Sequence, residues 1–452
     1  MAHDHDRNGC ALHGALRLLD SIEKVAPILH ASAGCSLGAW AGEDSLSLTL
    51  GSRGLRHREV SATLLQEKQV VFGGTSRLRE QIKNTVKVIP AELYAVVTGC
   101  VPEVIGDDVL AMVKEAKEQS FPIVSLSSPG FSGNAWHGYA QAAKGLLQQV
   151  LEVVPAKPDN APTAALFGLV PGHDVTWEGD LLEIENLLSR VGLKAIRLMG
   201  FGQTADSWRA TAHSAVSINL SPWGRPAAEL LRERFGTPVV DFSWLPVGSR
   251  EAGSLLSALE STLSLDGAVV DRAKRSLDNE LRYYLDKAAP ILLSGDIQKR
   301  VAVVAGSALA VGLSRFLSGT LGQLVEQVII TDDIDESSRA TTLAAIRGSG
   351  ARLAEISFSS GRLEVAALLR KNKPEVILGS ALESDVADEL RVPHLEVASP
   401  LRSRPFLRRS YVGVRGAVAL VEDYLAVFAN AERAHRQKHK LNHFNQAKGI
   451  AQ

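Results

Sequence analysis

Short apolar runs recur along the chain, each closed by Gly, Ser or Pro and followed by a stretch with helical spacing. The runs Val70–Gly73, Tyr94–Thr98, Ile123–Leu126, Ala164–Leu169, Ala195–Met199, Val216–Leu220 and Val239–Phe242 predict strands. Val301–Ala305, Gln327–Thr331, Val376–Leu378 and His394–Val397 extend the series. Most are continuously apolar and do not alternate, as expected of strands buried on both faces of a parallel sheet. Between them, Asp107–Glu118, Asp180–Val191, Ala227–Phe235 and Leu309–Ser318 carry helical periodicity. This alternation predicts doubly wound α/β units.

Two interruptions divide the series. Val154–Thr163 reads VPAKPDNAPT, a Pro-rich polar link. A long helical stretch at about Ser254–Leu293 contains DRAKRSLDNELRYYLDK and precedes the strand at Val301. The expected units are therefore 1–160, 161–295 and 296–452. A last helix is expected from Gly416, with the basic, amide-rich end after it as a surface tail. At roughly 150 residues per domain, 452 residues also suggest three units.

Composition narrows the class. Apolar residues make up 45% and charged residues 22%, which excludes wholesale disorder, a collagen-like fibre and a coiled-coil rod. The net charge of -1 provides no general field for nucleic acid or an anionic membrane, so neither is an expected partner. No run approaches the roughly 20 apolar residues of a membrane span. The opening MAHDHDRNGC does not read as a secretory signal, and three cysteines cannot make a disulfide framework. A reduced, cytoplasmic protein is expected.

Cys10, Cys35 and Cys100 all fall in the first unit. Cys35 sits in HASAGCSLGAWAG, where Gly34 and Gly38 leave room beside the backbone. Cys100 follows YAVVTG, at the carboxyl end of a buried strand, the edge where open α/β sheets bind ligands. Cys10 lies in a glycine-flanked loop before a helical run. Inert buried thiols are the plain reading. Thiolates also ligate zinc or iron–sulfur clusters, but there is no close cysteine pair for a zinc finger and no C-x-x-C. Three widely spaced cysteines suit a cluster better, with the remaining ligands from a second chain.

Other candidates have plainer readings. Asp107 and Asp108 sit where they would cap a helix, and His3, His5 and His13 read as surface histidines. His30 is either packed in the core or placed behind Cys35. Gly306 lacks a full G-x-G-x-x-G and reads as a turn of the fold. Arg402, Arg404, Arg408 and Arg409 read as a solvated or subunit-contact face.

An ordered set of motifs adds a resemblance. C-x3-G-A at Cys10–Ala15 is followed by H-x3-G-C at His30–Cys35 and VFGG-x3-L-x3-I at Val71–Ile82. Next come T-x-C-x2-E-x-I-G-D-D at Thr98–Asp108 and S-P-x-F-x-G at Ser128–Gly133. The series resembles the first domain of the nitrogenase component 1 superfamily, which includes nitrogenases, cofactor-assembly scaffolds and reductases such as methylthio-alkane reductase. Ser221-Pro222-Trp223 resembles the family's second-domain pattern, and Ser399–Glu422 resembles its β-type chain.

The resemblance implies three Rossmann-like, doubly wound α/β domains with mainly parallel sheets. It implies that Cys10, Cys35 and Cys100 are thiolate ligands of an iron–sulfur cluster shared with a partner, either an [8Fe-7S] P-cluster or a [4Fe-4S] cluster. Gly130 stands where nitrogenase β-type chains carry a serine that can ligate the oxidised P-cluster. Ala11-Leu12-His13 likewise departs from the nitrogenase sequence at that point. No fourth cysteine is present to hold an active-site cofactor, which implies a β-type, electron-carrying subunit. Its partners would be an α-type subunit carrying that cofactor, in an α2β2 heterotetramer, and an ATP-dependent [4Fe-4S] reductase. Retention of all three cysteines favours a reductase, with methylthio-alkanes or dinitrogen as substrate. The alternative is the β-type chain of a cofactor-assembly scaffold.

Overall fold

The structure, a computed structural model, describes residues 7–36, 61–154, 162–294, 298–351 and 354–429. Thirteen strands form three sheets among these residues, and every pairing between them is parallel. The first sheet contains β1 (Val25–His30), β2 (Ser61–Ala62), β3 (Leu93–Thr98) and β4 (Ile123–Ser127), in the order β2-β1-β3-β4. The second contains β5 (Thr163–Phe167), β6 (Lys194–Ile196), β7 (Val216–Asn219) and β8 (Val239–Asp241), in the order β6-β5-β7-β8. The third contains β9 (Arg300–Ala305), β10 (Leu324–Ile330), β11 (Glu355–Phe358), β12 (Val376–Gly379) and β13 (His394–Glu396), in the order β11-β10-β9-β12-β13. This is the Rossmann-like α/β architecture that the alternating pattern predicts.

Three local expectations need correction. Val70–Gly73 is not a strand. Its apolar residues lie on the helix Glu67–Phe72, which buries none of its side chains. The stretch Ser254–Leu293 is two helices, Gly248–Leu263 and Gly267–Ser294. Ser264 breaks them with a positive φ of 52°, and the Asp266 carboxylate accepts from Ala268 N–H to start the second helix. Helical residues at the carboxyl end run from 413 to 429, three positions earlier than expected. The basic tail lies outside the described residues.

Strand β1 is hidden in the sequence, because its VAPILH carries a proline. Proline cannot donate to a sheet ladder, which demotes a run as a central strand. Here β2 pairs only with Ile28 and Leu29, so the missing Pro27 N–H costs β2 no hydrogen bond.

The sheets meet at a filled junction. Trp136 stacks on His173 at 4.5 Å between ring centroids and on Trp223 at 5.8 Å. Trp223 Nε1 donates to Asp332 Oδ2 at 2.9 Å, and Ser307 donates to the same carboxylate through both N–H and Oγ. The residues before Cys10 cross to the third sheet. Asn8 donates to Thr331 O and accepts from Trp136 Nε1. Arg7 forms a buried ion pair with Glu383 at 2.5 Å and donates to Ser380 Oγ, beside the end of β12. The carboxyl-terminal segment returns to the second unit, where the buried Asp180 carboxylate accepts from Ser410 Oγ and the N–H groups of Tyr411 and Val412. No helix of the described residues is long and apolar enough to cross a membrane.

Two outcomes follow from these buried charges. Arg7→Met strands the Glu383 carboxylate without its partner, and denaturant unfolding should show a loss of roughly 3–5 kcal/mol. Burial pushes the Asp174 carboxyl up to about 8, although Val170 N–H donates to it at 2.6 Å. A raised carboxyl binds its proton more tightly folded than unfolded. Its stabilisation is present below the unfolded value near 4 and is lost as pH rises through about 8. Asp174→Asn, which keeps an acceptor for Val170, should flatten the thermal-midpoint decline across that range.

Candidate metal centre

In the order β2-β1-β3-β4 the chain reverses its direction of travel between β1 and β3, and crevices at such switch points bind ligands. Cys35 lies just beyond β1 and Cys100 just beyond β3. The two loops cross closely: a Cβ on Gly99 would meet the Ala31 methyl at 2.9 Å, and Gly99 N–H donates to His30 O at 3.0 Å.

Cys10 reaches the same edge by helix packing. It is the N-cap residue of the helix Ala11–Asp20, and its carbonyl accepts from the N–H groups of His13 and Gly14. That helix lies backbone-to-backbone on the helix Ala135–Val150. A Cβ at Gly14 would collide with the Ala135 carbonyl, and one at Gly138 with the Ala11 carbonyl. Ala11 N–H also donates to Gly133 O. These contacts set Cys10 beside the turn Gly130–Ser132.

That turn joins two of the thiols. A Cβ on Gly130 would stand 2.8 Å from Cys10 Sγ and 3.3 Å from Cys100 Sγ, and Gly130 N–H donates to Cys100 Sγ at 3.1 Å. Cys35 N–H bonds to Ser32 O, and Ser32 Oγ lies 3.5 Å from Cys35 Sγ. All three cysteines are half-buried and none forms a disulfide. Among the described residues, no group of three or more His, Cys, Asp or Glu is close enough to hold one metal ion.

His30 is buried at the end of β1. Its Nε2 lies 3.0 Å from Asp107 Oδ2 and its Nδ1 3.0 Å from Thr63 Oγ1. Facing a carboxylate, Nε2 carries the proton and donates, while Nδ1 accepts from Thr63. Burial holds the imidazole below its ordinary value against the opposite pull of Asp107, so the ring is neutral at pH 7. Asp107 does not cap the helix that follows. Its other oxygen accepts from Gly74 N–H at 2.8 Å and from Thr75 Oγ1 at 3.3 Å. Asp108 is the cap, accepting from Ala111 N–H at 3.0 Å. The Gly130 bond and the Asp107 clamp have no signal in spacing alone.

The remaining candidates resolve without a ligand. The Gly306 turn packs on Trp136, and Asp332 takes the Ser307 N–H. Arg404 and Arg409 point inward to Asp423, which also accepts from Tyr411 Oη, whereas Arg402 and Arg408 are exposed, so only the latter two fit the expected solvated face. His13 is half-buried, and His3 and His5 lie outside the described residues.

A profile of the family described as nitrogenase component 1 type oxidoreductase matches residues 10–428. The chain belongs to that family. The nitrogenase molybdenum–iron protein beta chain of Methanococcus maripaludis is 24% identical over 448 residues, covering 91% of each chain. The vanadium–iron protein beta chain of Trichormus variabilis is 24% identical and covers 96% of each. Nitrogenase iron-molybdenum cofactor biosynthesis protein NifE of Bradyrhizobium diazoefficiens is 28% identical over 59% of this chain. The solved structure "Nitrogenase Cp1 at pH 6.5" superposes with a TM-score of 0.75, covering 94% of this chain and 92% of that one, at 18% identity. The chain is a β-type member of this oxidoreductase family.

The crowding at Gly130 is testable in the metal-free chain. Gly130→Ala forces a methyl between two sulfurs, and unfolding should show a loss of roughly 1–3 kcal/mol. Unchanged stability would mean that the turn has room to spare.

Proposed function

We propose that this protein is the electron-relaying β-type subunit of a nitrogenase-like reductase, and that Cys10, Cys35 and Cys100 are its thiolate contribution to an iron–sulfur cluster shared with an α-type subunit. The observation that carries this reading is the placement of two sulfurs around Gly130, with Cys35 across the same switch point. Among the described residues no closed single-ion site forms, which suits thiolates that each grip a different part of a larger group. Cluster chemistry supplies one-electron uptake and release, as an [8Fe-7S] P-cluster or as [4Fe-4S].

The chain's own groups hold and tune the sulfurs. Gly130 N–H donates to Cys100 Sγ and stabilises negative charge there, which favours the reduced state. Gly130 has no side-chain oxygen, so no ligand can come from that side chain. The sulfurs are only half-buried because the partner subunit covers them in the assembly, an α2β2 heterotetramer. Around this edge Val71, Phe72, Val104, Leu110 and Phe131 are exposed, Phe72 at 82%. Exposed apolar residues of this kind suit protein docking, by the α-type chain and by an ATP-dependent [4Fe-4S] reductase.

Reduction of substrate, methylthio-alkanes or dinitrogen, belongs to the α-type partner. In this chain Trp136, His173 and Trp223 fill the junction of the three sheets. A cofactor-assembly scaffold is the second reading, favoured by the 28% identity with NifE. The beta chains cover 91–96% of this chain against 59% for NifE, which supports the reductase reading. The reaction setting is cytoplasmic.

Anaerobic co-purification with the α-type chain tests both readings. The reductase predicts about eight irons at the interface with turnover, whereas about four irons there without turnover would leave the scaffold. Cys100→Ala should lose the interface iron; full iron in that variant would refute the ligand assignment.

A further inference from the structure

Asp107 joins three pieces of chain that the cluster site needs. Oδ2 receives His30 Nε2–H at 3.0 Å, at the end of the strand that leads to Cys35. Oδ1 receives Gly74 N–H at 2.8 Å and Thr75 Oγ1 at 3.3 Å, in the turn directly after Phe72. Its backbone N–H donates to Pro102 O at 3.0 Å, closing the helix that starts at Cys100.

The assembly is tight. A Cβ on Gly74 would stand 2.5 Å from Asp107 Oδ2 and 3.0 Å from His30 Cε1. Gly73 has a positive φ of 89°, a conformation that side chains resist. His30 and the Asp107 carboxylate are both buried, His30 fully and Asp107 at 3% side-chain exposure. Phe72, two residues before Gly74, is among the most exposed apolar side chains of the described residues. Hydrogen bonds therefore tie the turn that follows an exposed aromatic side chain to two cysteine-bearing loops.

We propose that His30 and Asp107 are positioning residues of the cluster site: they lock the Cys35 loop, the Cys100 helix and the Gly73–Gly74 turn into one body, so that the reductase, seated on Phe72, acts on the spacing of the thiolates. This rests on the cluster reading given above. Neither residue touches the cluster in the proposal. Both work through the loops they fasten. Removing the carboxylate releases the turn and the imidazole together, while Asn at the same position keeps an oxygen for Gly74.

The test uses the α/β complex with its reductase. Wild type, Asp107→Ala, Asp107→Asn and Cys100→Ala are compared for iron content, for the EPR spectrum of the cluster with and without reductase, and for amide exchange of segments 28–36 and 98–107. Iron lost from Cys100→Ala establishes the cluster reading separately. With that in place, Asp107→Ala should keep its iron but lose the reductase-induced spectral change and the slowing of exchange in both segments. Electron delivery to the cluster in that variant should fall about tenfold, and Asp107→Asn should restore most of it. If Asp107→Ala does not assemble, His30→Gln is read in the same way. A variant with full iron and an undiminished response to reductase would overturn the proposal while leaving the ligands intact.

Discussion

The geometry depends on two glycines, each of which faces the backbone of the opposite helix. Gly14 and Gly138 let the helices Ala11–Asp20 and Ala135–Val150 touch main chain to main chain, with no room for a side chain at either contact. Such proximity fixes the helix axes, because a packed interior cannot absorb an added methyl without moving. Cys10 caps one helix and the Gly130 turn leads into the other, so the glycine contact becomes the spacing between Cys10 Sγ and the turn. The same turn donates an N–H to Cys100. One contact between helices thus sets the relation of two sulfurs separated by ninety positions of chain.

The rest of the molecule makes that edge rigid and leaves it exposed. The three sheets share a continuous apolar core, and the polar groups at their junction are paired with one another. Arg7 and Asn8 are bonded into the third unit, and three residues further on the chain begins the helix that Cys10 caps. The strand before Cys35 is likewise anchored through His30. Rigidity matters for electron transfer because a site that hardly moves on reduction needs little reorganisation. By contrast, Val71, Phe72 and Phe131 are largely exposed, which suits the docking surface proposed above.

Most strands were legible because a fully buried parallel strand is apolar throughout, as in the run VAVVA that follows Arg300 in β9. Legibility failed where one residue served two demands. Pro27 hid β1, since proline normally argues against a central strand, and the short β2 is what makes it tolerable there. Val70–Gly73 looked like a strand because apolar residues usually mean burial, whereas here Val70, Val71 and Phe72 lie exposed on a helix. The three cysteines stood out by their positions after strands and beside glycines. Gly130 was noticeable only as a departure from the family's pattern, and its closeness to two sulfurs needed coordinates. Asp107 and Asp108 were indistinguishable as a pair of acids after Gly106. Only the fold shows that one caps a helix while the other crosses to His30 and Gly74.

Anomalous diffraction at the iron edge, from anaerobic crystals of the complex with its α-type partner, tests the central claim most directly. Iron peaks are expected at the subunit boundary, with Cys10, Cys35 and Cys100 each bonded to iron and the Gly130 turn wrapped against them. An iron-free boundary in a complex that still turns over substrate would contradict it.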